Sequence, residues 1–317
     1  MSQNPIQIAL RAPTGALGEI ELTHAEMAAR HGTSEQVVDK WLGNTRVVTT
    51  VRPIYELGLR AASTSLERAG VPAGELSYLL VSGVNSLRIQ NDLAADRAVA
   101  FDHAGGCSSL LEMAFRARSL LAEDPQANHV LCMAAFKIES PPWSAEINRL
   151  RSWGPMTESA MRDVFCDGAG AFLMTREAGP LTLLGAGYAT LGHHWDLIKR
   201  FEAGNAPSAM QVMHDAINVF RTAYERCLKF AGITKGDIRW ALFLLEGPHM
   251  AYSNARVLGI PREKVVLMRN PVMHVGGVDP AIILEDFLEA GVGRPGDVAV
   301  LVLRRIGGVA IAAVRVS

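Results

Sequence analysis

Uninterrupted runs of apolar residues are the main pattern along the chain. In the first half they predict strands over 76–83, 97–102 and 129–136, with a helix over about 108–122 before the last of these strands. Runs that are apolar at every position, rather than alternating with polar residues, are typical of strands that helices cover on both faces. The pattern therefore predicts an α/β fold.

The second half of the chain repeats this order of elements. Its apolar runs predict strands over 240–247, 264–270 and 297–303, and a helix over about 280–290 before the last strand. In each half a glycine-containing turn precedes the helix. We interpret the repeat as an internal duplication, with one half over 1–175 and the other over 176–317. Two such halves packed together would give αβαβα layers with a site between them.

The composition fits a protein with a large core, since 49% of its 317 residues are hydrophobic and its formal net charge is -1. The lack of a basic excess argues against a nucleic-acid-binding protein, although a local basic patch could still receive an acidic carrier protein. No apolar run reaches the roughly 18 residues that a membrane-spanning helix needs, and the N-terminus does not resemble a secretion signal. The four cysteines show no metal-binding spacing, so we expect no metal site and a cytoplasmic location.

Cys107 is the most informative residue of the sequence. It comes shortly after a predicted strand that ends near Asp102, and it follows Gly105 and Gly106 directly. A predicted helix follows it at once. The positive end of a helix favours the thiolate, which is the nucleophilic form of cysteine, and glycines allow a substrate to approach the backbone. The segment predicts a nucleophilic cysteine; the alternative is a small buried apolar residue at a helix start.

The segment around Cys107, FDHAGGCSSLLEMAF, resembles the nucleophile segment of the ketoacyl-ACP synthase III group in the thiolase superfamily. Four further pieces follow the family's order over essentially the whole chain. They are Trp41 with Arg46, similar to an early W-x-x-x-R element with one residue more; the pair Ile89-Gln90; Val164–Ala171, similar to an F-G-D-G-A-G-A turn; and Ile306-Gly307-Gly308, in the place of a glycine-rich loop. Taken alone, the glycines of 167–170 would indicate an ordinary tight connection between strands.

This resemblance implies the duplicated, five-layered αβαβα thiolase fold, with the nucleophile in the first half and its partner residues in the second. It implies that Cys107 carries an acyl thioester, and that the backbone N–H groups of Cys107, Gly307 and Gly308 stabilise the oxyanion. It also implies substrate contacts from Trp41 and Arg46. The donor would be an acyl-CoA or an acyl carrier protein, and no further cofactor is expected.

Condensing members of this family use a histidine in a P-H-Q-A-N segment and an asparagine in a G-N-T segment. Counted back from the predicted helix, His274 occupies the asparagine position. A histidine, unlike an asparagine, can accept a proton from a nucleophile, and Asp279 could hold its second ring nitrogen. This H-x-G-x-x-D pattern resembles a divergent branch whose members transfer acyl groups to hydroxyls or amines. Asp279 before a proline is also typical of a helix N-cap, and the two roles are compatible.

The remaining histidines are weaker candidates. His249, in the sequence PHMA, resembles the P-H-Q-A segment, but an ungapped alignment places Leu244 at that position. His193 and His194 lie in a region that borders the acyl pocket in the family, so either one could line the site; a solvated loop is the alternative. His103 is expected to have a structural role.

The leading interpretation is an acyltransferase that uses Cys107 and His274. It would pass an acyl group to a hydroxyl, amine or carbon nucleophile in natural-product biosynthesis, such as that of polyketides or antibiotics, or in fatty-acid-type biosynthesis. The alternatives are a decarboxylative condensing synthase using Cys107 and His249, a thioesterase, and an inactive subunit of a thiolase-fold heterodimer. From the resemblance we expect a homodimer, and the apolar run at 128–135 suggests its interface strand.

Overall fold

The computed structural model describes residues 7–31, 34–104, 106–137, 165–192, 209–305 and 308–317. Within these ranges the chain forms twelve strands and eight α-helices. The strands are β1 (Ala9–Leu17), β2 (Ile20–Leu22), β3 (Val47–Thr49), β4 (Tyr78–Ser82), β5 (Val99–Asp102), β6 (His129–Phe136), β7 (Gly168–Thr175), β8 (Leu181–Thr190), β9 (Ile238–Phe243), β10 (Val265–Val266), β11 (Val298–Arg305) and β12 (Gly308–Val316). The helices are α1 (His24–His31), α2 (Glu35–Leu42), α3 (Ile54–Ala69), α4 (Ser86–Asp92), α5 (Ser109–Glu123), α6 (Ala209–Ala231), α7 (Pro248–Leu258) and α8 (Asp279–Glu289).

The two halves of the chain have the same sheet topology. In the first half the strand order is β5-β4-β6-β7-β1, and in the second it is β10-β9-β11-β12-β8. In each half the first three strands are parallel, and the last two pair antiparallel. Two residue pairs between β1 and β8 join the halves into one ten-stranded sheet. The predicted division after residue 175 falls between β7 and β8.

Three buried cores give the layer order. Alternate residues of a strand point to opposite faces, so Val130 and Cys132 of β6 enter a central core with α5 and α8. Leu131 and Met133 of the same strand pack with α3 in a second core. In the third core β11 and β12 pack with α6 and α7. The two five-stranded halves of the sheet form separate layers, so the layer order is helix, sheet, helix, sheet, helix. Helices α5 and α8 contact each other in the middle layer.

Several predicted elements differ from the observed ones. The segment 167–170 is not a connection between strands, because β7 begins at Gly168 and is buried along its whole length. The predicted strand 264–270 is reduced to Val265–Val266. The placement of a dimer interface at 128–135 is wrong, because β6 is hydrogen-bonded to strands on both sides and buried throughout. Among the described residues, no helix combines the length and the apolar character that crossing a membrane requires.

Candidate active site

Two short 3-10 turns meet at the centre of the molecule. Gly106–Ser108 precedes α5, and Gly276–Val278 holds the equivalent position before α8. A Cβ atom on Gly277 would lie 2.5 Å from the carbonyl oxygen of Gly106, so this approach requires glycine. Gly276 has a φ of 58°, and a Cβ atom there would lie 2.4 Å from the ring of Phe136. The duplicated topology and these glycines bring Cys107 next to the segment that carries His274.

His274 links Cys107 to Asp279 through hydrogen bonds from its buried ring. Its Nδ1 lies 2.8 Å from Oδ2 of Asp279, and its side chain also hydrogen-bonds the thiol of Cys107. The ring is only 5% exposed and packs against Phe165, with 4.9 Å between the ring centroids. Cys107 itself is partly accessible. The three side chains therefore form a continuous series from a reachable thiol to a buried carboxylate.

Asp279 is fully buried and accepts three hydrogen bonds. Its Oδ1 accepts the N–H of Val275 at 2.7 Å, and its Oδ2 accepts the N–H of Leu245 at 2.9 Å besides the bond with His274. The N-cap of α8 is Val278, whose side chain makes no capping hydrogen bond. The expectation that Asp279 acts as an N-cap is therefore wrong, because its carboxylate is taken up by His274 and two neighbouring segments. Such an arrangement fixes the orientation and the tautomer of the imidazole.

The electrostatics of the site favour a protonated His274. Burial lowers the pKa of this imidazole, but the negative charges of Asp279 and Cys107 and its hydrogen bonds to both side chains outweigh burial. The result is a pKa well above the usual 6.5. An imidazolium held between a carboxylate and a cysteine side chain is an arrangement suited to activating the cysteine as a nucleophile.

The segment before His274 is fixed to two neighbouring stretches of backbone. Arg46 forms a parallel β-bridge with Val272. The N–H of Arg46 donates to the carbonyl of Pro271, and the carbonyl of Arg46 accepts the N–H of Met273. The carbonyl of His274 accepts the N–H of Cys166 at 2.7 Å. These bonds hold His274 from both sides.

The glycines of β7 allow the active-site segment to pack on the sheet. A Cβ atom at Gly168 would lie 2.8 Å from the side chain of Val275, and one at Gly170 would lie 2.7 Å from Cβ of Ala281. Just before the strand, the buried Asp167 accepts hydrogen bonds from the hydroxyl of Thr49 and from the backbone N–H of Thr50. Asp167 is 1% exposed. The glycines of this motif thus form the surface of β7 against which α8 and the segment that follows His274 pack.

Other predicted site residues do not join this cluster in the described structure. His249 is exposed at the start of α7, and no hydrogen bond or ion pair between described residues joins it to Cys107, His274 or Asp279. Arg46 contributes its backbone, as described above, while its guanidinium faces Glu21 at 3.5 Å. His103 lies 3.4 Å from Glu112 beside the Cys107 turn, in keeping with a structural role.

His193, His194 and Gly307, together with the side chain of Trp41, lie outside the described residues. Gly308 begins β12, and the adjoining strand β11 contacts the turn that holds Cys107. The oxyanion role of Gly307 and Gly308 therefore stays a prediction.

Known proteins with similar sequences span nearly the whole chain. A β-ketoacyl-[acyl-carrier-protein] synthase III from Rhizorhabdus wittichii is 24% identical and aligns with 92% of this chain and 93% of its own length. The corresponding protein of Sinorhizobium medicae is 25% identical over 83% of this chain and 84% of its own. No family model matches the chain.

Solved structures give the same answer for the fold. The 3-oxoacyl-(acyl carrier protein) synthase III of Pseudomonas aeruginosa PAO1 superposes with a TM-score of 0.78 at 20% identity, covering 98% of both chains. ChlB3, an acyltransferase, gives the same values. OleA of Xanthomonas campestris has a TM-score of 0.78 at 14% identity, covering 97% of this chain and 96% of its own.

The chain has a thiolase fold. The resemblance to ketoacyl-ACP synthase III that the sequence motifs indicated is confirmed. Sequence analysis missed two kinds of residue at this site. Leu245 and Val275 bind Asp279 through backbone N–H groups, and no side-chain pattern in the sequence identifies such a contact. Phe165 belongs to a recognised motif, but only the folded chain brings its ring against His274.

Proposed function

We propose that this protein is an acyltransferase that carries an acyl group on Cys107 and delivers it to a hydroxyl or amine with His274 as the base. The similar proteins with the same fold include synthases and an acyltransferase, which supports acyl chemistry in general. The choice of transfer rests on one observation, the hydrogen-bonded series of Cys107, His274 and Asp279.

The first half-reaction loads the enzyme. The Cys107 thiolate attacks the carbonyl carbon of an acyl-CoA or acyl-carrier-protein thioester, and the tetrahedral intermediate expels the donor's thiolate. The His274 imidazolium gives its proton to that leaving group and becomes neutral. The N–H of Cys107, with Gly307 or Gly308, stabilises the oxyanion. The products are acyl-Cys107, a free donor thiol and a neutral imidazole held by Asp279.

The second half-reaction unloads the enzyme. Neutral His274 accepts the proton of the acceptor hydroxyl or amine as the acceptor attacks the thioester carbonyl. The intermediate collapses, an ester or amide forms, and Cys107 leaves as a thiolate beside the imidazolium. Acylation removes the negative charge of Cys107, which is one of the two charges that raise the His274 pKa. The imidazole of His274 therefore stays neutral more readily, so its unprotonated form is available at the stage that needs a proton acceptor.

Decarboxylative condensation fits the site less well. It needs two hydrogen-bond donors on the malonyl thioester oxygen and no base for the acceptor, since loss of CO₂ creates the nucleophile. The position of the family's histidine is taken by Leu244 in the ungapped alignment, and Leu244 is a buried apolar residue. His249, the alternative donor, is exposed. A histidine paired with a carboxylate is instead suited to activating a hydroxyl or amine.

Intact-mass measurement after incubation with a panel of acyl-CoAs and acyl carrier proteins tests the proposal. We expect an acyl adduct on Cys107 and none on Cys107→Ala. His274→Asn, which restores the condensing family's residue, should slow transfer off Cys107 by about 10²–10⁴ and slow adduct formation less. The wild type should release no CO₂ from a malonyl thioester. Efficient decarboxylation, or transfer that is indifferent to position 274, would favour the condensing synthase; an adduct lost only to water would indicate a thioesterase.

A further inference from the structure

A cavity of about 140 Å³ lies at the carboxyl ends of β9 and β10. Its walls are largely apolar and include Phe243, Leu244 and Ile283. None of the described residues that line it is charged, and its polar side chains are those of Asn44 and Thr45. The carboxyl ends of parallel strands are the usual position of a ligand site in an α/β protein.

The cavity is built from the same segments that hold the His274–Asp279 pair. Leu245 lines it and donates its N–H to Asp279. Val272 lines it as well and stands two residues before His274. A molecule in this cavity would therefore contact segments that position His274 and Asp279.

The hydroxyl of Thr45 indicates that the cavity takes a polar atom. Thr45 is only 2% exposed, and its Oγ1 has no hydrogen-bond partner among the described residues. Buried hydroxyl groups are nearly always satisfied, so an orphaned one points to a missing partner. Gly247, the N-cap of α7, and Pro248 in its first turn line the same cavity.

We propose that this cavity binds the acyl acceptor and that Thr45 is a specificity-determining residue for it. The inference rests on the proposed transferase function. The bound part of the acceptor is an uncharged, ring-sized apolar group with one oxygen, which Thr45 Oγ1 hydrogen-bonds. An apolar cavity of about 150 Å³ holds a benzene molecule, which sets the size. We expect no charged group there, because no charged side chain among the described wall residues would offset its desolvation.

Three primary amines that differ in one substituent test the chemistry of the acceptor. They are cyclohexylmethylamine, its 4-hydroxy derivative and its 4-carboxylate derivative. Protein acylated on Cys107 is mixed with each amine, and loss of the adduct is followed by intact mass. We expect the 4-hydroxy amine to discharge the wild type fastest and the 4-carboxylate amine slowest. Thr45→Val should slow the 4-hydroxy amine by about 2- to 10-fold, which corresponds to one hydrogen bond, and leave the unsubstituted amine unslowed.

Two further variants test whether the effects arise in this cavity. Thr64→Val, in the outer-layer helix α3, is the matched control and should leave the order of the three amines unchanged. Ala251→Leu extends a side chain into the cavity and should slow every ring-bearing amine while sparing ethylamine. Equal discharge by all three amines, or a preference of the wild type for the carboxylate, would overturn the proposal.

A binding measurement separates this proposal from the transferase function. Ligand-observed NMR on Cys107→Ala should detect the 4-hydroxy amine, and Thr45→Val should weaken its binding in that background by a similar factor. Displacement of the amine by free CoA would overturn the proposal, because the cavity would then belong to the donor. If no donor acylates Cys107 but the amine binds as described, the transferase function fails and the binding site stands.

Discussion

At the scale of single residues, Asp279 has little tolerance for an isosteric change. Its two oxygens accept three N–H donors, from His274, Leu245 and Val275. In Asp279→Asn one oxygen becomes an amide donor, which must then face an N–H group in a fully buried position. We therefore expect this variant to lose transfer from acyl-Cys107 by at least about 10²-fold, measured as single-turnover loss of the adduct. Asp96→Asn, an exposed aspartate, is the control.

The outcome distinguishes a positioning role from a merely structural one. If Asp279 only stabilised the fold, the variant would melt at a lower temperature but transfer normally at low temperature. A loss of transfer that persists well below the melting temperature of the variant, in a protein with normal circular dichroism, would support positioning of His274. Normal transfer in a stable Asp279→Asn protein would contradict it.

The raised pKa of His274 predicts opposite pH dependences for the two half-reactions. Despite burial, the charges of Asp279 and Cys107 keep this imidazole protonated to well above pH 6.5. Acylation of Cys107 uses the imidazolium, so its rate should fall as pH rises through the raised pKa. Transfer uses the neutral ring, and the pKa falls once Cys107 is acylated, so its rate should rise with pH over a lower range.

Separate measurement of the two steps checks this pH prediction. Adduct formation and adduct loss can be followed by quenched-flow mass spectrometry between pH 5 and about 10, a range that spans the ordinary histidine pKa and a raised one. His274→Asn should remove both dependences, since no other group of the series then titrates as a histidine. Parallel pH profiles for the two steps in the wild type would rule out the proposed alternation of His274.

At the scale of elements, the contact between the two 3-10 turns is the feature most sensitive to substitution. A Cβ atom on Gly277 would lie 2.5 Å from a backbone oxygen and 2.8 Å from Cβ of Ser109. Because backbone cannot move aside as a side-chain end can, Gly277→Ala should push the turns apart. We expect a loss of about 1–3 kcal/mol in the free energy of unfolding and slower acylation of Cys107. Gly74→Ala, where the added atom meets nothing within 4 Å, should cause neither effect.

Comparison of the predicted with the observed strands shows which parts of the fold the sequence could predict. Continuous apolar runs located β4, β6, β9 and β11 to within a few residues, because strands buried on both faces have that composition. The same reasoning failed at 167–170, where glycines suggested a turn. They stand in a buried strand because Val275 and Ala281 occupy the space of their side chains. Such a contact joins residues more than a hundred positions apart, and no local pattern reveals it.

At the scale of the whole molecule, the active site needs both halves of the duplication. The first half supplies Cys107 and the second supplies His274 and Asp279, each at the same stage of its topology. The internal repeat predicted that the two segments would meet, and the hydrogen-bonded series shows that they do. What the repeat could not predict is the lateral order of the strands. A run of apolar residues has the same appearance in a central strand as in a strand buried at a subunit interface, so β6 was misplaced.

The observed strand order moves the expected dimer interface to β5. Among the described residues the sheet ends at β5 and β10, and β10 has only two residues. Val99 and His103 donate their N–H groups to the β4 side, so the alternating N–H of Ala100 points away from the sheet, and Val99 is 51% exposed. We predict a homodimer by light scattering that Ala100→Pro converts to monomer, because proline removes this donor and spares the β4–β5 bonds. Ala100→Ser keeps the N–H and should remain a dimer. A wild-type monomer at micromolar concentration, or a dimer indifferent to Ala100→Pro, would show that this edge is not the interface.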